Sequence, residues 1–81
     1  MEKFSKQIAV GDETRLFEFT MMQNVNGIKC FITSTDENKK PISFSVKQND
    51  DRVWKLVPGS LRWLYEIEEE LSEAIIETRL S

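Results

Sequence analysis

The chain of 81 residues contains no histidine, one cysteine, two prolines and three glycines. Without histidine, it lacks the usual His-containing zinc-ligand sets and the histidine base of a Ser-His-Asp triad. The single cysteine, Cys30, excludes an internal disulfide. No segment approaches the roughly 20 apolar residues of a membrane-spanning helix, and the N-terminus lacks the apolar run of a signal peptide. We therefore expect a cytoplasmic protein with no metal, no cofactor and no membrane partner.

Candidate catalytic groups are almost as scarce. Cys30 lies on the inward side of a predicted strand, which favours a core residue over a nucleophile because no histidine can serve as its base. Neither a dinucleotide-binding glycine motif nor a P-loop occurs, and each of the three glycines lies at a predicted turn. We expect that the protein is not an enzyme.

Residues 4–57 alternate between apolar and polar side chains, which is typical of an antiparallel sheet with one buried face. The predicted strands are Phe4–Val10, Arg15–Val25, Ile28–Thr33 and Ile42–Lys47, with a less regular fifth at Arg52–Val57. Residues 60–79 have helical periodicity instead. The sequence therefore predicts one α+β domain over residues 1–81, an antiparallel β-meander of four to five strands followed by one long C-terminal amphipathic helix.

One turn predicts the pairing of two strands. Asn26-Gly27 separates two alternating runs, and both residues tolerate the positive φ of a two-residue type I′ turn. Such a turn would place Val25 opposite Ile28 in the core and Met22 opposite Phe31 on the outward face. An outward Met beside an aromatic ring is explained by packing under a loop or a partner, or by contact with a ligand.

The predicted helix has two unlike faces. Ser60 is its expected N-cap. Five glutamates form a stripe along one face: Glu66, Glu69, Glu70, Glu73 and Glu77. The opposite face is apolar and broader than one small sheet is expected to cover, so we expect it to form a homodimer interface. The expected interface residues are Leu64, Ile67, Leu71 and Ile75.

Charge is distributed unevenly along the chain. Residues 1–58 carry nine basic and eight acidic side chains, whereas residues 59–81 carry two arginines and six glutamates. The net charge of -3 therefore arises in the helical segment. If a polyanion binds this protein, we expect it to bind the β half.

Several predicted elements follow one another in a recognisable order. They are a strand entering Gly11, the Arg15–Phe19 strand, the Asn24–Gly27 turn, the Ile28–Thr33 strand, and Arg52–Leu56 leading into the helix. This layout resembles PUR (purine-rich element binding) repeats and the broader Whirly-like single-stranded nucleic-acid-binding folds. In PUR-like proteins two such repeats intertwine and nucleic acid lies on their sheets, which implies that a single repeat acts as a homodimer. The resemblance implies phosphate contacts from Lys6 and Lys29 and base stacking on Phe31.

Two functions remain open at this stage. The first is binding of single-stranded DNA or RNA on the outward face of the sheet, through Lys6, Lys29, Phe31 and Lys47 with Met22 nearby. The alternative is a protein-interaction or regulatory module without nucleic-acid binding. The two differ in salt dependence, because binding through phosphates weakens steeply as salt rises.

Overall fold

Five strands and a C-terminal helix occur in the predicted order in a computed structural model that describes residues 2–25 and 27–80. The strands are β1 (Glu2–Val10), β2 (Glu13–Asn24), β3 (Gly27–Thr35), β4 (Pro41–Gln48) and β5 (Trp54–Leu56). A 3-10 turn at Arg62–Ile67 precedes the α-helix α1 (Glu68–Leu80). The strands form one sheet in chain order with antiparallel neighbours, so the predicted α+β fold and the fifth strand are confirmed.

Alternation gives the sheet two faces. The inner face lies against the helix and supplies the core residues Ile8, Phe17, Phe19, Met21, Cys30, Ile32, Phe44, Val46, Trp54 and Leu56. The helical segment adds Leu64, Ile67, Leu71, Ala74 and Ile75. The outer face carries the intervening, mostly polar residues. Neither helical segment within the described residues is long and apolar enough to span a membrane.

The β2–β3 hairpin differs from its prediction. Asn24 pairs with Gly27, where the sequence predicts Val25 opposite Ile28, and Val25 is fully exposed in a turn instead of lying in the core. Asn26 lies outside the described residues, and the predicted type I′ conformation of the Asn26-Gly27 turn lies outside them with it. The observed register places Met21 opposite Cys30, both buried, whereas the predicted register would have placed polar Gln23 there.

This correction moves the pairing by two residues, which leaves the side chains of the paired residues on their predicted faces. The cross-strand neighbours do change. Met22 lies opposite Lys29 and Phe31 lies opposite Thr20, so the predicted Met22–Phe31 pair is wrong.

The helix also begins later than predicted. The hydroxyl of Ser60 donates to the carbonyl of Val57 at 2.6 Å, so it does not cap the helix. Leu61 occupies the N-cap position without a side-chain hydrogen bond. A cation–π contact holds this first turn to the sheet, with the Arg15 guanidinium 5.1 Å from the ring centre of Trp63.

The four residues predicted at a homodimer interface lie in the core of the single chain. Leu64, Leu71 and Ile75 are 0% exposed and Ile67 is 5% exposed. The sheet of the same chain already covers their apolar atoms, so a second copy would reach them only if the helix left the sheet. Dimerisation itself stays a prediction.

The helix closes one edge of the sheet. The backbone N–H of Trp54 donates to the Ser72 hydroxyl at 3.0 Å, and the N–H of Leu56 donates to the Glu68 carboxylate at 2.8 Å. These are donors of β5 that face away from β4. Side chains of α1 therefore satisfy the edge groups that would otherwise be free to pair with another strand.

Candidate nucleic-acid interface

The outer face is the most basic surface formed by the described strands. Its charged residues are Lys3, Glu18, Lys29, Lys47 and Lys55. Four lysines against one glutamate give this face a positive charge, although the whole chain is acidic. Such a separation of charge allows a polyanion to approach one side of the protein only.

Three of these lysines form a row across neighbouring strands. Lys29 of β3 lies opposite Lys47 of β4, which in turn lies opposite Lys55 of β5. Because adjacent strands are about 4.8 Å apart, the row spans roughly 10 Å at the backbone. Lys55 contacts the Glu68 carboxylate at 3.4 Å, but Lys29 and Lys47 have no acidic partner among the described residues. Like charges in directly opposed positions destabilise a sheet.

Phe31 lies beside this row, two residues along β3 from Lys29, and its side chain is 37% exposed. Hydroxyl-bearing residues surround it. Thr20 and Ser45 lie directly opposite it on the two neighbouring strands, and Thr33 and Ser43 form the next pair. None of these four hydroxyls has a hydrogen-bond partner among the described residues, so they are available to a ligand's polar edge.

One depression adjoins the lysine row and a second lies next to it. One depression of about 300 Å³ is lined by Lys29, Ser43 and Ser45 together with the Val57–Leu61 segment. A second, of about 480 Å³, shares Ser43 and extends toward Leu16 and Thr33. Both are open and shallow, which suits a flexible chain better than an enclosed small molecule.

The structure separates the four predicted binding residues into two groups. Lys29, Phe31 and Lys47 lie together on the outer face. Lys6 lies opposite core residue Phe17, which places it on the inner face, where its ammonium group contacts the Glu77 carboxylate at 3.4 Å. The prediction that Lys6 shares the outward surface is therefore wrong, because its alternation matches that of the inward residue Ile8.

Two lysines of the outer face were missed by the sequence reasoning. Lys55 alternates with the buried residues Trp54 and Leu56, so its outward direction follows from the period-two pattern once β5 is accepted as a strand. Lys3 alternates in the same way with Phe4 at the start of β1. The alignment of Lys55 with Lys47 was not predictable from this local signal, since it depends on the register of β4 and β5.

The predicted acidic stripe is confirmed as an exposed surface. All five glutamates of the stripe are exposed on the side of the molecule that carries the helix. No group of three or more potential metal-ligating side chains comes together within the described part of the chain. The acidic stripe and the basic outer face therefore lie on opposite sides of the molecule.

Cys30 is a core residue of β3 and not part of the outer face. Its side chain is 0% exposed, and loss of hydration on burial raises the pKa of the thiol from 9.0 to about 12, while a backbone hydrogen bond from Thr20 partly opposes this shift. A thiol held protonated in this way is a poor nucleophile. The geometry agrees with the prediction of a core cysteine.

The raised pKa predicts a loss of stability in alkali. The unfolded chain ionises this thiol above about pH 9, whereas the folded chain resists ionisation until about pH 12. The contribution of this thiol to the free energy of unfolding is therefore fully present below about pH 9. Between about pH 9 and pH 12 it decreases by about 1.4 kcal/mol for each pH unit. Urea unfolding of the wild type and Cys30→Val near pH 8 and near pH 10 measures the difference. Equal pH slopes for the two proteins would contradict the prediction.

Comparisons of the chain with protein-family models, with curated proteins and with solved structures find no match. The fold defines the class as a small α+β domain with a five-stranded antiparallel sheet.

Proposed function

We propose that this protein is a small, non-enzymatic module that binds single-stranded nucleic acid on the outer face of its sheet. The row formed by Lys29, Lys47 and Lys55 carries this proposal. Opposed lysines cost stability in the free protein, and a chain of phosphates lying along the row would offset that cost. Phosphate groups therefore match both the charge and the linear arrangement of the site.

The aromatic ring beside the row favours a single strand over a duplex. Phe31 is exposed on an open sheet surface, where an unpaired base can stack on its ring. Bases of a duplex are already stacked on one another and present only their edges to a protein. The hydroxyls of Thr20 and Ser45 flank the ring and are placed to bond with a stacked base or its sugar.

Self-association is a separate part of the proposal. The small size of the chain supports it, because a short chain buries a comparatively small fraction of its surface. The apolar helix face no longer supports it, because the sheet covers that face within the single chain.

Fluorescence anisotropy of labelled single-stranded DNA and RNA at two salt concentrations tests the proposal, using wild type and Phe31→Ala. Wild-type affinity is expected to fall steeply with salt as phosphate contacts release counterions. Phe31→Ala is expected to lose about 1–3 kcal/mol of binding free energy at both salt concentrations, because stacking does not depend on counterions. Light scattering on the same samples gives the mass and tests self-association.

Ile76→Ala serves as the matched control, since Ile76 is an apolar residue with the same 37% exposure as Phe31 but lies on the helix, away from the outer face. This variant should bind like the wild type. Absence of wild-type binding at low salt would reject the nucleic-acid proposal and leave a protein-interaction module. Unchanged affinity of Phe31→Ala would remove the aromatic ring from the site.

A further inference from the structure

The two edges of the sheet differ in whether their outward backbone groups have hydrogen-bond partners. Ser72 and Glu68 satisfy the outward amides of β5. At the other edge, β1 pairs only with β2, and no described strand lies on its far side. Alternate residues of this nine-residue strand direct their N–H and C=O groups away from β2, so β1 presents a row of backbone groups that have no strand partner in the described part of the chain.

A groove runs between this open edge and the helix. It has a volume of about 230 Å³ and is lined by Lys6, Gln7, Ile8, Ala9, Glu70, Glu73, Ala74 and Glu77. Ile8 and Ala74 provide an apolar floor, and three glutamates and one lysine surround it. The charge beside the strand edge is therefore negative on the inner side of the sheet.

We propose that β1 accepts an extended basic peptide segment of a partner protein as a sixth strand. Main-chain hydrogen bonds to β1 would supply affinity, as in other cases of strand addition. Alternate side chains of the peptide would enter the groove, where Glu70, Glu73 and Glu77 outnumber Lys6, which is paired with Glu77 at 3.4 Å, so that lysine or arginine is favoured. The intervening side chains would lie on the outer side near Lys3, which favours neutral or acidic residues there.

Charge favours this occupant over a second copy of the chain. Two copies joined through antiparallel β1 strands would place their helices on the same side of the joint sheet. Each groove would then bring Glu70, Glu73 and Glu77 toward the same three residues of the other copy. Like charges at such a contact oppose association.

The test uses a fluorescein-labelled peptide of the length of β1 in which lysine alternates with threonine, measured by anisotropy with the full-length protein. Three comparison peptides carry glutamate in place of lysine, or N-methyl groups on one or on the other set of alternate backbone amides. The protein variants are Glu70→Lys with Glu77→Lys, and a control of equal charge, Glu66→Lys with Glu69→Lys. The control glutamates belong to the same stripe but line a depression beside β5 instead of the groove beside β1.

Binding of the lysine peptide is expected to weaken roughly tenfold in the Glu70/Glu77 variant and to change little in the control. N-methylation of the set of amides that faces β1 should abolish binding by the wild type, since it removes main-chain donors without changing charge. Hydrogen exchange should slow in β1 when the peptide is bound. Circular dichroism of each variant verifies folding before the comparison.

Equal loss in both protein variants, or tight binding of both N-methylated peptides, would overturn the proposal, because either result means diffuse attraction to the acidic helix. Slow exchange in β1 of the free protein that depends on its concentration would assign the edge to a second copy instead. The proposal is independent of nucleic-acid binding, because Glu70 and Glu77 lie on the helix side and the lysine row lies on the outer face.

Discussion

Leu71→Glu is expected to unfold the protein and not to yield a folded monomer. Leu71 is 0% exposed and contacts the apolar core between the helix and the sheet. An ionised carboxylate in such a place costs several kcal/mol or more, which is comparable to the total stability of about 4–12 kcal/mol that a chain of this length usually has. Circular dichroism and urea titration should reveal a chain without a cooperative unfolding transition.

The control for this prediction is Ile76→Glu on the same helix. Ile76 is 37% exposed, so a carboxylate there remains hydrated and the fold should persist. The milder variant Leu71→Ala is expected to fold but to lose about 2–5 kcal/mol of unfolding free energy. A well-folded Leu71→Glu protein with half the wild-type mass in solution would instead return Leu71 to a subunit interface.

The strands and their faces could be predicted because both follow from a local pattern. Phe17, Phe19 and Met21 alternate with polar or outward residues in β2, and all three are buried as the period-two pattern requires. The same rule places Lys6 with Ile8 on the inner face, and its assignment to the outward surface ignored that rule.

The hairpin register could not be obtained from the turn residues alone. Asn26-Gly27 is a strong local signal for a two-residue turn closed by Val25 and Ile28, yet the pair observed at this end of the hairpin is Asn24–Gly27. The observed register brings buried Met21 beside buried Cys30, so pairing of core residues outweighed the local preference. Gly27 keeps a positive φ of 123° at the start of β3.

The sequence also could not predict which surface the apolar face of the helix contacts. Periodicity identified Leu64, Leu71 and Ile75 as one apolar face. Periodicity does not say whether such a face lies against the sheet of its own chain or against a second copy, because both would bury the same residues. The position of the helix across the sheet decides this, and Ser72 and Glu68 fix that position through their bonds to β5.

Lys29→Glu combined with Lys47→Glu is expected to reduce affinity for single-stranded nucleic acid by roughly a hundredfold at low salt. Each lysine that bonds a phosphate contributes about 1.5–3 kcal/mol, and tenfold in affinity corresponds to about 1.4 kcal/mol. The salt dependence should also become shallower, since each lost phosphate contact lowers the logarithmic slope by about 0.7 for single strands.

Lys39→Glu with Lys40→Glu gives the same change in net charge in the exposed loop between β3 and β4. If affinity depends on the position of charge and not on its total, the loop variant should lose much less binding than the row variant. Equal losses would mean that the oligonucleotide responds only to the protein's net charge, and the lysine row would then have no role as a phosphate-binding site.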